Sequence, residues 1–223
     1  MVSLNELIDS LKSHYPEIGY GFHSLTTDAQ TWESVCQKDS YFSDLRYYDD
    51  ILEFGHAISL DLEISAVDVA MFFLSFDSYT QLQIQTMVYL AYADYLKLTG
   101  KELFREEIEA WEYGPVIRSV YDIFEKYGSD KITDGEIIEQ EYRKRTSGPV
   151  QAFARMRRVR DSKNILSVLT NIQTNFKKLS GEKLINLTHQ SNLPWEHAYE
   201  SEANNVITNE LILKYHDKDK LAI

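Results

Sequence analysis

Between Leu82 and Tyr127 the chain reads LQIQTMVYLAYADYLKLTGKELFREEIEAWEYGPVIRSVYDIFEKY: a helix, a glycine stop, a short extended segment and a second helix. Thr80-x-x-Gln83 is a capping box ahead of the first helix, whose buried side includes Ile84, Met87, Val88, Ala91 and Tyr95. Gly100 closes that helix as a left-handed cap. Leu103 to Tyr113 alternates enough to predict short β segments, with Gly114-Pro115 ending the extended run. Val116 to Tyr127 is helical, and Gly128 follows it.

The rest of the chain carries mostly helical signals. Ser3-Leu4-Asn5-Glu6 is a capping box with Val2 and Leu7 placed as a staple, and this helix ends before Pro16. Residues 16–40 read as loop-like or short elements, with Gly19, Gly21 and a Thr26-Thr27-Asp28 cap candidate. Tyr41, Leu45, Tyr48 and Leu52 recur at helical spacing and predict a helix over 40–54. Ser65-x-x-Asp68 caps a helix running to about Phe76. Ser162, Ser180 and Thr208 each open a helix, and Pro194 suits the first turn of a short one. The expected fold is mainly α with a minor β element near Trp111. It divides into an acidic N-terminal helical extension over 1–64, a helical domain over 65–216 and a frayed end over 217–223.

Charge sharpens that division. The formal net charge is −12, and residues 1–80 hold 14 Asp and Glu against 3 Lys and Arg. An acidic surface of this kind favours a basic partner and disfavours nucleic acid or an anionic membrane, although solubility alone would also select it. The sign reverses locally over Arg143, Lys144, Arg145, Arg155, Arg157, Arg158, Arg160 and Lys163, with Ser147-Gly148-Pro149 marking a turn. This stretch reads as a phosphate- or RNA-binding loop, as a solvated loop, or as one docked on the chain's own acidic third. Phe153 is the only interleaved aromatic.

Several chemistries lack their residues. Met1 to Glu6 has neither the basic start nor the apolar run of a signal peptide, and the apolar stretch from Ala66 to Phe76 is too short for a bilayer, so a cytoplasmic protein is expected. Cys36 alone makes no internal disulfide or cysteine cage. His14, His23, His56, His189, His197 and His216 are scattered without metal-ligand spacing, so no metal or cofactor is expected. Thr188-His189 is the one pair worth testing as nucleophile and base, but neighbours on a helix point about 100° apart. His189 reads better as a hydrogen-bonding residue at a helix end. Trp111 and Trp195 read as core pillars ahead of ligand platforms. No catalytic set emerges, and the chain reads as a non-enzyme.

Three ordered motifs carry a resemblance. Ile84-Gln85-Thr86-Met87-Val88-Tyr89-Leu90-Ala91, with Tyr95-Leu96 and Gly100, resembles the opening helix of the Panacea domain, the SocA-like antitoxin and phage-associated family. Its usual pattern there is Leu-Gln-Lys-Leu-Leu-Tyr. Ala110-Trp111-Glu112-Tyr113-Gly114-Pro115-Val116 with Val120-Tyr121 is similar to the central motif A-W-x-x-G-P-V…Y. Leu187-Thr188-His189 and Pro194-Trp195 resemble the later L-T-H…P-W motif, and Asn204 to His216 resembles the closing segment. The likeness covers about 65–216. Thr86 stands where the family commonly has lysine, and Met87-Val88 replaces a leucine pair without loss of apolar character.

The resemblance implies an antitoxin. Panacea proteins are typically encoded beside varied toxins and neutralise them, mostly by direct complex formation. The SocA branch instead acts as an adaptor delivering its toxin to a bacterial protease, and others sit in prophages and mobile elements. On that footing Gln85, Tyr89, Trp111, Tyr113, Gly114, Pro115, Val116, Tyr121, Thr188, His189, Pro194 and Trp195 are expected to be structural. The variable, acidic, aromatic segment holding Tyr41, Phe42, Tyr47, Tyr48, Asp49 and Asp50 is the expected toxin-binding surface, suited to a basic partner. The alternative is that Tyr41 and Tyr48 pack their own helix against the core.

Overall fold

The computed structural model describes residues 4–216 apart from 17, 20, 22 and 134–151, and omits the side chains of residues 60 and 61. The expected Ser3 capping box, the turn at Ser147-Gly148-Pro149 and the frayed end from Asp217 lie outside the described residues. The chain divides into two units, Met1–Leu62 and Glu63–Ile223.

The first unit holds α1 (Leu4–His14), α2 (Trp32–Lys38) and α3 (Ile51–Asp61). Helices α1 and α3 pack together at Gly55, where an added Cβ would lie 2.5 Å from a Tyr15 ring carbon and 2.6 Å from Leu11 Cδ1. Only a bare backbone permits that approach. Residues 16–40 contain one short helix, α2, capped by Thr31, whose hydroxyl accepts from the Ser34 N–H at 3.3 Å. One expectation is corrected here: the helix expected over 40–54 is absent. Asp39 accepts from the Tyr41 N–H at 2.9 Å and opens a short 3-10 turn, Ser40–Asp44, which ends as Leu45 turns extended. Asp50 Oδ1 then accepts from the N–H groups of Leu52 at 2.7 Å and Glu53 at 2.9 Å, so helix restarts at Ile51. Two local acidic caps override the aromatic spacing.

The second unit contains α4 (Ala66–Leu74), α5 (Gln81–Thr99), β1 (Glu109–Trp111), β2 (Gly114–Val116), α6 (Arg118–Phe124), α7 (Ala152–Arg158), α8 (Ser162–Phe176), α9 (Gly181–Thr188), α10 (Pro194–Ala198) and α11 (Asn209–Tyr215). A mainly α fold is therefore confirmed, with one small antiparallel sheet among the described residues. Both expected capping boxes form: Ser65 with Asp68 ahead of α4, and Thr80 with Gln83 ahead of α5. Gly100 takes φ 70° and donates to Leu96 O at 2.8 Å, ending α5 as expected.

Helix α5 is the axis of this unit. It packs against α4, α6, α8, α9, α11 and β2, and is buried continuously from Ile84 to Leu96. A helix buried on every side belongs at the centre of a bundle, and the polar Gln85, Thr86 and Asp94 are buried with it. Two of its three tyrosines reach outward: Tyr92 donates to Asn209 Oδ1 at 2.8 Å and Tyr95 to Asp161 Oδ2 at 2.9 Å, tying α5 to the starts of α11 and α8. Burial is the main cause that pushes each phenol up to about 12.

The basic stretch is not one loop. Within it Ala152–Arg158 is helix α7, and Arg155 is buried, donating from Nη2 to Glu63 O at 2.5 Å and lying 3.9 Å from Asp68 Oδ1. Phe153 stacks on Phe72 with centroids 6.2 Å apart. Arg143, Lys144 and Arg145 lie outside the described residues.

The extended run also differs from expectation. β1 and β2 form a hairpin with Glu109 opposite Val116, Ala110 opposite Pro115 and Trp111 opposite Gly114. Gly114 thus begins the second strand instead of closing the first, at φ 121°, a region open essentially to glycine. On the other edge, Ala110 N–H donates to Asn205 O at 2.8 Å and Ile207 N–H to Ile108 O at 2.7 Å. Pro115, lacking a donor, sits on the outer strand, where none is required.

Candidate functional site

The three motifs meet at the β1–β2 turn. Gln85 on α5 clamps the peptide after the hairpin: its Oε1 accepts from Ile117 N–H at 2.9 Å and its Nε2 donates to Ile117 O at 3.2 Å, all buried. One amide side chain thereby replaces a missing strand. Trp195 Nε1 donates to Trp111 O at 2.9 Å, and His189 Nε2 faces Glu112 O at 3.1 Å. The other ring nitrogen of His189 faces Ile185 O at 2.8 Å, so this imidazole bridges the last turn of α9 to the hairpin turn. Gly114 lies against the same residues: a Cβ there would sit 3.4 Å from Thr188 Oγ1 and 3.7 Å from His189 Cε1. Thr188 is buried and its hydroxyl returns to Ile185 O at 3.1 Å.

Aromatic contacts complete the arrangement. Trp111 packs on Tyr121 at 4.9 Å and receives the Arg118 guanidinium 5.3 Å from its ring centre. Glu109 joins both, accepting from Trp111 Nε1 at 2.7 Å and from Arg118 Nη2 at 2.9 Å, and this contact raises the Arg118 pKa. Trp195 contacts His189 at 3.5 Å and stacks on Tyr199 at 4.5 Å. Pro194 takes the first turn of α10, as expected. Tyr89, deep in α5, lies edge-on to His216, and burial drives its phenol well above the ordinary tyrosine value. Pro115 and Val116 are buried. Tyr113, at the tip of the turn, is 64% exposed.

The Thr188-His189 pair has no catalytic geometry. Thr188 Oγ1 lies 3.3 Å from His189 Nδ1, yet that nitrogen and the hydroxyl both face Ile185 O, and among the described residues no carboxylate orients the ring. No group of three or more His, Cys, Asp or Glu able to hold a metal occurs among the described residues. No helix among them is long and apolar enough to cross a membrane.

A scan against known families matches residues 84–196 to the antitoxin SocA-like Panacea domain. The chain belongs to this family. Searches among curated proteins and among solved structures found no match. The matched span of this Panacea domain runs from α5 through the hairpin to Trp195, the residues just seen to converge. Membership brings an antitoxin-like role in general terms.

The acidic segment is arranged differently from its sequence order. Tyr41 meets Phe42 at 5.7 Å, Phe42 meets Trp32 at 6.1 Å, and Tyr47 stacks on Trp32 at 5.1 Å. Tyr41 and Tyr47 are 69% and 54% exposed. Tyr48 turns away to Phe54 at 5.8 Å, with Arg46 over its ring. Asp49 is exposed, while Asp50 is committed to capping α3. Sequence reasoning passed over Trp32, the hub of this run; the Thr31 cap just before it was the available signal.

A second feature, unmarked in the sequence, is an open groove of about 920 Å³ beside the hairpin. Trp111, Tyr113, Tyr121 and Tyr199 line it together with Glu112 and Glu202.

Proposed function

We propose that this Panacea protein neutralises a cognate toxin by direct protein–protein binding, and that Tyr41, Phe42, Tyr47 and Asp49 of the acidic N-terminal unit contribute the contact. The observation that carries the reading is the contiguous run Tyr41–Phe42–Trp32–Tyr47, whose two outer rings are more than half exposed. Rigid aromatic side chains are the commonest anchors of protein interfaces. Asp39, Asp44 and Asp49 flank them, so the complementary surface is basic, which also speeds association. Apart from Tyr113, the motif residues around the hairpin are engaged in internal packing and hydrogen bonds, consistent with a scaffold that holds its fold while other segments choose the partner.

The test is a purified mixture of this chain with the toxin encoded beside it. Direct neutralisation predicts stoichiometric loss of toxin activity without any third component. Activity that persists in the mixture, and falls only when a host protease is added, would replace this reading with delivery of the toxin for degradation.

A further inference from the structure

Tyr113 differs from its motif neighbours. Trp111 and Glu112 have their carbonyls held by Trp195 and His189, and Gly114 is fitted against Thr188. Tyr113 sits between them at 64% exposure and, among the described residues, makes no hydrogen bond and no ring contact. A turn fixed on both flanks therefore displays one free aromatic side chain at the rim of a groove of about 920 Å³. The groove walls are equally fixed: Tyr121 rests on Trp111, and Tyr199 on Trp195. Little ordering remains for a guest to impose.

The lining also has one sign. Glu112 and Glu202 line the groove, and no lysine, arginine or histidine does so among the described residues. Aromatic faces beside carboxylates attract a guanidinium or an ammonium. The start of α6 gives an instance, since Arg118 lies over Trp111 of the hairpin and pairs with Glu109. A groove of this volume exceeds one side chain.

We infer that this groove is a docking site for a basic, extended segment of a partner protein, with an arginine or lysine seated between Tyr113 and the carboxylates of Glu112 and Glu202. The antitoxin reading supplies the partner's identity, but the groove's chemistry stands without it.

The probe is a blocked pentapeptide, Leu-Arg-Leu-Arg-Leu, titrated calorimetrically into the full chain beside its Leu-Glu-Leu-Glu-Leu counterpart. The arginine peptide should bind and the glutamate peptide should not. Tyr113→Ala should weaken binding about tenfold, by loss of an aromatic–cation contact. Glu202→Gln should weaken it several-fold and flatten its salt dependence. Tyr41→Ala and Glu107→Gln should leave it unchanged. The inference is overturned if the arginine peptide fails to bind, if Tyr113→Ala binds as tightly as the parent, or if Tyr41→Ala removes the binding. Saturation by arginine amide as tightly as by the pentapeptide would make the groove a small-cation site and equally overturn the docked segment. None of these outcomes depends on toxin neutralisation, so the two readings fail separately.

Discussion

Phe72, Phe73, Tyr79 and Phe124 are sealed inside the unit beginning at Glu63, whereas Tyr41 and Tyr47 of the first unit stand more than half in solvent. Among its described residues the first unit buries only Leu11, Ile18, Ser34 and Gly55. The same residue types therefore serve different ends. In the second unit aromatic rings close a core around α5, and in the first they form a surface run beside carboxylates. A marker of family need not be a marker of action: most motif residues are spent on joining the hairpin to α5, α9 and α10.

Substitutions can break this contrast, and the largest effect belongs to Gln85. Gln85→Ala strips both hydrogen bonds from the buried Ile117 peptide and should cost about 3 kcal/mol in urea unfolding. A cost near zero would show that the clamp is dispensable. Gly114→Ala forces a side chain into φ 121° and against Thr188, and should cost about 2 kcal/mol by the same measurement. A reversible loss should come from alkali. Tyr92 and Tyr95 titrate near 12 when folded and near 10 when unfolded, so the unfolded chain releases these protons first. Their contribution is complete below pH 10 and declines as pH rises from about 10 to about 12, readable as a falling melting temperature. Asp50→Ala should cost about 1 kcal/mol, confined to the first unit and seen as faster hydrogen exchange at Leu52 and Glu53.

Local rules were legible in the sequence where a single turn decides the outcome. Ser65 with Asp68, Thr80 with Gln83, Gly100, Pro194 and Thr208 all stand where helices begin or end. Pairing at a distance was not legible. Gly114-Pro115 reads as a stop because both residues interrupt local structure, yet the register with Ala110 and Trp111 makes them a strand. The aromatic spacing over 40–54 imitates a helix, and only the caps at Asp39 and Asp50 reveal the break. Gln85 belongs to a recognisable motif, but its task depends on Ile117, 32 residues away. Tyr113 stands in the same motif, and only its exposure sets it apart. The acidic face was visible as composition; its assembly around Trp32 required the fold.

The most direct test uses Tyr41→Ala combined with Asp49→Asn, since neither side chain caps a helix or fills the core. Melting temperature and neutralisation of the neighbouring toxin are measured on the same preparation. The account predicts unchanged melting and neutralisation weakened at least about tenfold, the scale of losing an interface anchor. Full neutralisation at unchanged stability would contradict it.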